Sequence, residues 1–476
     1  MTGTAGTDEN PLALLPELLL AGSAVLGLLL GSWLPRHRQW PVGLLAAFAC
    51  LAGIVAAAVQ AGVAAPTTAF GGAFAIDTVT TTARIVVLGG TLPLLALVAG
   101  ATGGHRRETE CYVLVQLAAL GALTLAGAAD LLTLAAAYLL ASVPGYALAG
   151  FAADGRGTEA ALKYFVVGAL LGGLMFGGVT LLLAAGRTTG YPALREALPG
   201  APGGLVAVGL VGLLAGLLFK SGAVPGHFWV PDAVQGCRPP VAALLTTLPK
   251  AGALAALFRL ATGPLAGVAA ADVPWSALLA ALAAATMTLG NLAAFFQDDV
   301  RRLLAYSTIS QAGYLLVPVA VAGRSELSER ALLYYLAGYA LTNLGAFAVV
   351  CALPGARTVD DYRGLARRRP ALVGALLLCL LGLVGTPPTA VFLGKLEVFG
   401  AAVDGGYAWL AALAVANTVA SLFYYLRWLA PALLGPPAAA RHGPAVRSAA
   451  VTAYTTALGS LALGLAGGPV LTLLGG

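Results

Sequence analysis

Long apolar runs fill this chain, and short polar interruptions separate them at near-regular intervals. A helix crossing the roughly 30 Å hydrocarbon core of a bilayer needs about 20 predominantly apolar residues, and about fourteen runs qualify. The first six cover 11–33, 41–64, 82–102, 110–128, 130–152 and 160–185. The next four cover 203–226, 239–262, 275–296 and 302–322, and the last four 330–353, 370–403, 406–430 and 446–472. Only Ala129 and Asp130 separate the fourth run from the fifth. The pattern predicts an all-α polytopic membrane protein.

Two runs are interrupted in a similar way. Phe219 to Asp232 reads F-K-S-G-A-V-P-G-H-F-W-V-P-D, and Gly385 to Lys395 reads G-T-P-P-T-A-V-F-L-G-K. Proline removes a helix hydrogen bond and glycine loosens the backbone. Helix breaks are therefore expected near Pro225 and Pro387, the first being a full break or a bend. Irregular backbone at membrane depth survives only inside protein or beside water. Paired interruptions in two halves of a chain point to an internal repeat with an ion site between the halves. On that reading 1–109 holds helices one to three, 110–262 helices four to eight, 275–430 helices nine to thirteen, and 446–476 the last helix.

Composition agrees with a membrane protein: 59% of residues are hydrophobic and only 10% charged, against about 25% charged in soluble domains. The formal charge of +6 comes from dispersed arginines, not from the clustered basic face of a nucleic-acid binder. The 62 glycines suit close helix packing in lipid. Gly168, Gly172, Gly173 and Gly177 have small-xxx-small spacing within one helix, where packing is the expected role. Cys50, Cys111, Cys237, Cys351 and Cys379 are scattered, with no C-x-x-C pair, so neither a disulfide framework nor a metal or iron–sulfur site is expected. No connection is long enough for a nucleotide or flavin domain, and no cofactor is expected in this chain.

Arginine placement sets the expected orientation. With the N-terminus outside, the inner loops hold Arg36, Arg38, Arg106, Arg107, Arg238, Arg301, Arg302, Arg363, Arg367–Arg369, Arg441 and Arg447 among others. The outer loops and ends hold only Arg84, Arg187, Arg195, Arg259, Arg324 and Arg330. Both termini are then outside the cell membrane. The first ten residues carry Asp8 and Glu9 and no basic residue, so a retained first helix is expected rather than a cleaved signal.

Against this background the lysines stand out. The chain has four, Lys163, Lys220, Lys250 and Lys395, and each falls inside an apolar run while the loops use arginine. An ammonium at a bilayer centre costs roughly 2.5–3.5 kcal/mol on insertion scales. Ammonium groups, unlike guanidinium groups, exchange protons in dry surroundings. Buried proton relays are the chemistry this pattern suggests. His227, the one histidine in an apolar run, is a candidate relay between Lys220 and Lys250, against a structural role as a hydrogen-bonded core residue. Tyr314, Tyr339 and Ser310 are candidates to line a hydrated path, against packing as the expected role; Asp232 and Arg238 are expected to hold a loop, and Arg367–Arg369 to meet lipid headgroups.

The stretch from Phe219 through P-V-A-A-L-L-T-T-L-P-K to Leu260 resembles the antiporter-like subunits of respiratory complex I. Four more stretches narrow the resemblance to its subunit N branch. They are E-A-A-L-K-Y-F at Glu159–Phe165, R-R-L-L-A-Y-S-T-I-S-Q-A-G-Y at Arg301–Tyr314, Y-A-L-T-N-L-G-A-F at Tyr339–Phe347 and Y-R-G-L-A-R-R-R-P at Tyr362–Pro370. Similarity extends from about residue 110 to 400 and is weak at both ends. The resemblance implies fourteen helices with two inverted five-helix repeats, and a midplane axis formed by Lys163, Lys220, Lys250 and Lys395. It further implies a proton-translocating membrane-arm subunit of an NADH:quinone oxidoreductase. Adjacent antiporter-like and small membrane subunits would be its partners, with FMN, iron–sulfur clusters and quinone held by other subunits.

One departure is visible. The family carries a fifth-helix glutamate shortly before S-x-P, and here Tyr138–Pro144 reads Y-L-L-A-S-V-P, with Leu139 at that position. Glu159 and Asp130 are the candidates to stand in for that acid, against an interfacial helix-start role for Glu159 and a place near the outer helix end for Asp130. The alternatives to a complex I subunit are a multisubunit cation/proton antiporter and the membrane subunit of a hydrogenase or F420H2 dehydrogenase. A structural role without proton transfer is the remaining one.

Overall fold

The computed structural model describes residues 10–63, 65–269, 272–435 and 445–475; Asp8, Glu9 and Arg441 lie outside the described residues. Helices α1 (Leu15–Trp33), α2 (Trp40–Val63) and α3 (Thr78–Thr102) form the N-terminal group. Next come α4 (Glu108–Gly127), α5 (Leu131–Ala149), α6 (Gly155–Gly186), α7 (Tyr191–Ala197), α8 (Gly203–Ser221), α9 (Trp229–Gly236) and α10 (Pro239–Thr262). A second series holds α11 (Trp275–Ala294), α12 (Val300–Ala320), α13 (Ser328–Ala352), α14 (Leu365–Arg368), α15 (Pro370–Val384), α16 (Ala390–Asp404) and α17 (Ala408–Leu434). The chain closes with α18 (Arg447–Leu465) and α19 (Gly467–Leu474), splitting the expected last run at Ala466.

Among the described residues, 13 helices are long and apolar enough to cross a membrane. The pair α15 and α16 supplies the remaining crossing in two pieces of 15 residues each. The chain is therefore a multi-pass membrane protein, as its apolar pattern predicts. Leu26, Phe48, Leu170, Val211, Val419 and Phe423 are each more than half exposed on the outer faces, as a surface immersed in acyl chains requires.

Aspartates set several helix starts. Asp130 accepts hydrogen bonds from the Leu132 and Thr133 N–H groups at 2.7 and 3.1 Å. Asp77, Asp154 and Asp299 cap α3, α6 and α12 in the same way. Each satisfies N–H groups that have no partner within the helix, worth about 1 kcal/mol per cap. This explains how so short a linker as Ala129–Asp130 divides two spans: the aspartate belongs to the cap, not to an acid site.

Both expected breaks are complete. α8 stops at Ser221 with Gly222 left-handed (φ 70), and α9 restarts at Trp229 beyond Pro225. α15 stops at Val384 with Gly385 left-handed (φ 93), and α16 restarts at Ala390 beyond Pro387 and Pro388. A side chain at either glycine would be strained by the positive φ.

Two short strands depart from the all-helical expectation. Thr67–Ala69 pairs antiparallel with Phe74–Ile76 across a turn at Phe70, Gly71 and Gly72. Strands of three residues are too short to show a period of two; the G-G pair was their only signal. The glycine run in α6 divides its work. Gly168 and Gly172 seat the rings of Tyr146 and Tyr138, Gly173 and Gly177 face open space, and the closest backbone approach is Gly178 against α8 at Leu213.

The layering of the bundle decides where polar groups can hide. α10, α12 and α13 are buried almost all round, whereas α1, α6 and α18 keep broad outer faces. The three central helices carry Lys250, Thr308, Gln311, Tyr335, Tyr339 and Asn343, all at most 1% exposed.

Candidate functional site

Lys220 lies in the last turn of α8 and is 1% exposed. Its Nζ donates a 3.2 Å hydrogen bond to the Ala141 carbonyl on α5. Pro144, within α5, has no N–H for the Leu140 carbonyl four residues back, which adjoins this acceptor. The rings of Tyr138, Phe219 and Tyr164 surround the ammonium at 5.4, 5.6 and 5.9 Å. Their negative faces and the C-terminal end of α8 both favour a cation there.

Lys250 follows Pro249 in α10 and is fully buried. Its Nζ donates to the Thr308 carbonyl on α12 at 2.8 Å. It also lies against the break after Lys220, so close that a Cβ on Gly222 would meet the ammonium at 3.3 Å. The left-handed glycine thus both turns the chain and leaves room for the lysine head.

Lys395 sits on α16 and reaches back across the second break. Its Nζ donates to the Val384 carbonyl at 2.8 Å and to the Thr418 hydroxyl at 3.3 Å. The Tyr314 ring lies 4.2 Å from the ammonium. A helix leaves its last four carbonyls without partners, and at the end of α15 each finds one. Gly385 and Thr386 serve Leu381, Gly385 serves Gly382, Gln311 serves Leu383, and Lys395 serves Val384.

α12 joins the two halves of this arrangement. Thr308 receives Lys250, and Gln311, one turn on, donates to the Leu383 carbonyl at 2.9 Å beside the carbonyl that holds Lys395. Residues three apart share a helix face. α13 completes the polar layer. The Tyr335 hydroxyl donates to the Gln311 side-chain oxygen, and the Tyr339 hydroxyl donates to the Thr246 carbonyl at 2.7 Å. Asn343 donates to the hydroxyls of Thr246 and Thr247 at 3.0 and 2.9 Å. Tyr314 and Tyr339, for which the sequence favours packing over a polar lining, are hydrogen-bonded: Tyr314 donates to the Ala414 carbonyl at 3.1 Å, and Tyr339 belongs to this layer. Ser310 points instead to Asn291, at 3.1 Å. Asn343, Gln311 and the threonines were not singled out by sequence; their signal was polar residues clustered in runs that had to be buried.

Among the described residues, none of the three buried ammonium groups is paired with a carboxylate. Lys163 departs from the expected buried axis. Its side chain is 46% exposed and ion-paired to Glu159 at 2.8 Å and Asp232 at 3.0 Å. Lys163 stands in the third turn of α6, which begins at Gly155, on the face that carries Glu159 one turn earlier. It lines a cavity of about 460 Å³ with Arg156, Glu159, Asp232, Arg301 and Arg357. Asp232, expected to hold a loop, links Lys163 to Arg302 at 2.7 Å. His227 is half-buried at the first break with its ring tilted 32° against that of Phe228, and its Nδ1 has no hydrogen-bond partner. It bonds to neither Lys220 nor Lys250. Leu139 points outward, 48% exposed, while its neighbour Tyr138 faces Lys220.

The N-terminal helices hold a separate buried ion pair. Arg84, expected at an outer helix end, is fully buried and clasps Glu17 through Nε and Nη2 at 2.7 and 2.8 Å. Nearby, Arg259 forks onto Asp77 at 2.7 and 2.8 Å. Burial opposes the Asp77 charge, but the Arg259 hydrogen bonds and charge hold its carboxyl below the ordinary value. All five cysteines are buried and unbridged. Among the described residues, no cluster of His, Cys, Asp or Glu could hold a metal ion.

Residues 128–421 match the family described as NADH:quinone oxidoreductase/Mrp antiporter, TM. NADH-quinone oxidoreductase subunit N 1 of Streptomyces griseus is 53% identical over 471 residues, 98% of each chain. NADH-quinone oxidoreductase subunit N of a Mycobacterium species is 50% identical over 472 residues, again 98% of each. Likeness therefore extends through both ends, beyond the 110–400 stretch where the motifs lie. A chain of respiratory complex I from Thermus thermophilus superposes with a TM-score of 0.83 at 34% identity, covering 97% of this chain and 100% of that one.

Proposed function

The chain belongs to the subunit N family of NADH-quinone oxidoreductases, and from that membership we propose that it is a proton-translocating membrane-arm subunit of such a complex. The observation that carries the reading is the buried row Lys220, Lys250, Thr308, Gln311, Lys395, built on the least exposed helices and on two helix breaks. Each ammonium is held by a main-chain carbonyl, and those of Lys220 and Lys395 also by aromatic faces, rather than by a fixed anion. Its protonation can then follow a neighbour's charge or local hydration. A change launched by quinone reduction elsewhere would pass along the row as successive proton shifts. On this reading Lys163, which lines a polar cavity with its partners Glu159 and Asp232, is the water-facing edge of the path, and His227 makes no bond to the row.

On this reading the redox chemistry resides in partner subunits, which hold FMN, iron–sulfur clusters and quinone. Adjacent antiporter-like and small membrane subunits cover the lateral faces. Residues 110–262 and 275–430 form the two repeats, a division supported by the matched positions of the breaks after α8 and α15. The chain is placed in the plasma membrane, and the arginine distribution supports an orientation with both termini outside.

The test is the assembled complex carrying Lys395→Ala in everted vesicles. NADH- and quinone-dependent proton pumping should fall at least about tenfold, the scale of a lost proton-transfer group. Undiminished pumping by a normally assembled complex would overturn the reading. Sodium-driven exchange in the same vesicles without redox substrate would replace it with that of a cation/proton antiporter.

A further inference from the structure

A cavity of about 570 Å³ opens where α1, α2 and α4 meet, far from the lysine row in sequence and on different helices. Arg36, Arg106 and Arg107 line it, against one lining carboxylate, Glu110. The α4 N-terminus points the same way: its cap residue, Arg107, makes no side-chain capping bond. The positive end of a 20-residue helix therefore adds to the arginine charge. Glu108, in the same turn, is not among the lining residues and turns its carboxylate to the Gly104 N–H at 2.8 Å and the Tyr112 hydroxyl at 2.9 Å.

Two polar atoms in this wall lack partners. Thr109 is 4% exposed, and its Oγ1 is buried without a hydrogen bond. The Nε of Arg107 is likewise unpartnered, although its Nη2 is anchored on the Phe151 carbonyl at 2.8 Å. Gln39, 5% exposed, also lines the cavity and accepts the Thr109 N–H at 3.1 Å through its side-chain oxygen. Unsatisfied buried polar groups are costly and call for an occupant.

Depth in the membrane identifies that occupant. Trp33 and Trp40, 86% and 58% exposed, flank the loop at the cavity mouth, and exposed tryptophans mark the membrane–water interface. Leu28 and Leu34 complete the wall and continue into the lipid-facing side of α1. We propose that this cavity binds a phosphate group, carried by an anionic phospholipid whose acyl chains lie along α1.

The test uses the assembled complex in phosphatidylcholine vesicles doped with photoactivatable phosphatidylglycerol. Labelling should map to peptides containing 28–39 or 106–110 and be competed by unlabelled phosphatidylglycerol. It should fall at least about fivefold for each arginine removed in Arg36→Gln and Arg106→Gln, given roughly one electrostatic increment per basic residue. Thr109→Val, nearly isosteric and neutral, should also reduce labelling, and it carries the test if an arginine variant fails to assemble. Competition by inorganic phosphate at equal concentration would overturn the lipid source and assign the site to free phosphate. Equal labelling of wild type and Thr109→Val, or equal competition by phosphatidylcholine, would overturn the site itself.

Discussion

Lys250 and Thr308 meet through a 2.8 Å hydrogen bond from the ammonium to a main-chain carbonyl inside a continuous helix. A carbonyl oxygen has two lone pairs, so Thr308 can serve its own helix and the lysine together. α12 needs no break at this point, whereas Lys395 uses a carbonyl freed by one. The row is thus assembled from two kinds of backbone acceptor, and α12 is the rigid element between them.

Gln311 is the joint between α12 and the end of α15. Gln311→Leu would leave the Tyr335 hydroxyl and the Leu383 carbonyl without partners, at about 1–3 kcal/mol each. The expected outcome is a lower thermal midpoint of the assembled complex and slower proton pumping. Wild-type values for both in a purified variant would remove Gln311 from the path.

The Glu17–Arg84 pair should matter for folding rather than for transfer. Glu17→Gln strands a buried guanidinium, at about 3–5 kcal/mol. The yield of assembled complex on native gels should drop sharply. Replacing both partners, as Glu17→Leu with Arg84→Met, removes the unpaired charge and should recover most of that yield with normal pumping. A double variant as defective as the single one would contradict this.

Leu139 occupies the position where the family resemblance implies a glutamate, yet it faces outward. Leu139→Glu would therefore place a carboxylate on an apolar face without reaching Lys220, whose near neighbour on α5 is Tyr138. Pumped protons per electron should stay unchanged while assembly declines. A raised stoichiometry would show that the acid reaches Lys220 after all.

Much of this arrangement was legible in the apolar pattern. Fourteen crossings, both breaks and the interior positions of Lys220, Lys250 and Lys395 follow from run length, Gly–Pro interruptions and lysines where none should be tolerated. Lys163 reads as interior because it lies in an apolar run, but its helix face carries Glu159 one turn earlier and meets Asp232, so the ammonium pairs at a polar cavity instead. Thr246, Asn343 and Gln311 were overlooked because threonine and amides are unremarkable until tertiary packing buries them. Glu17 was the missed clue to Arg84: a lone acid inside an apolar run needs a buried cation. The cap role of Asp130 was hidden because capping and acid chemistry call for the same side chain.

The most direct measurement is the number of protons pumped per electron by a complex carrying Lys250→Met, the central member of the row. With NADH and quinone supplied and assembly verified, pumping should fall at least about tenfold, because no other buried ammonium sits between Lys220 and the Thr308–Gln311 face. Wild-type pumping by that complex would mean that protons do not travel along these lysines.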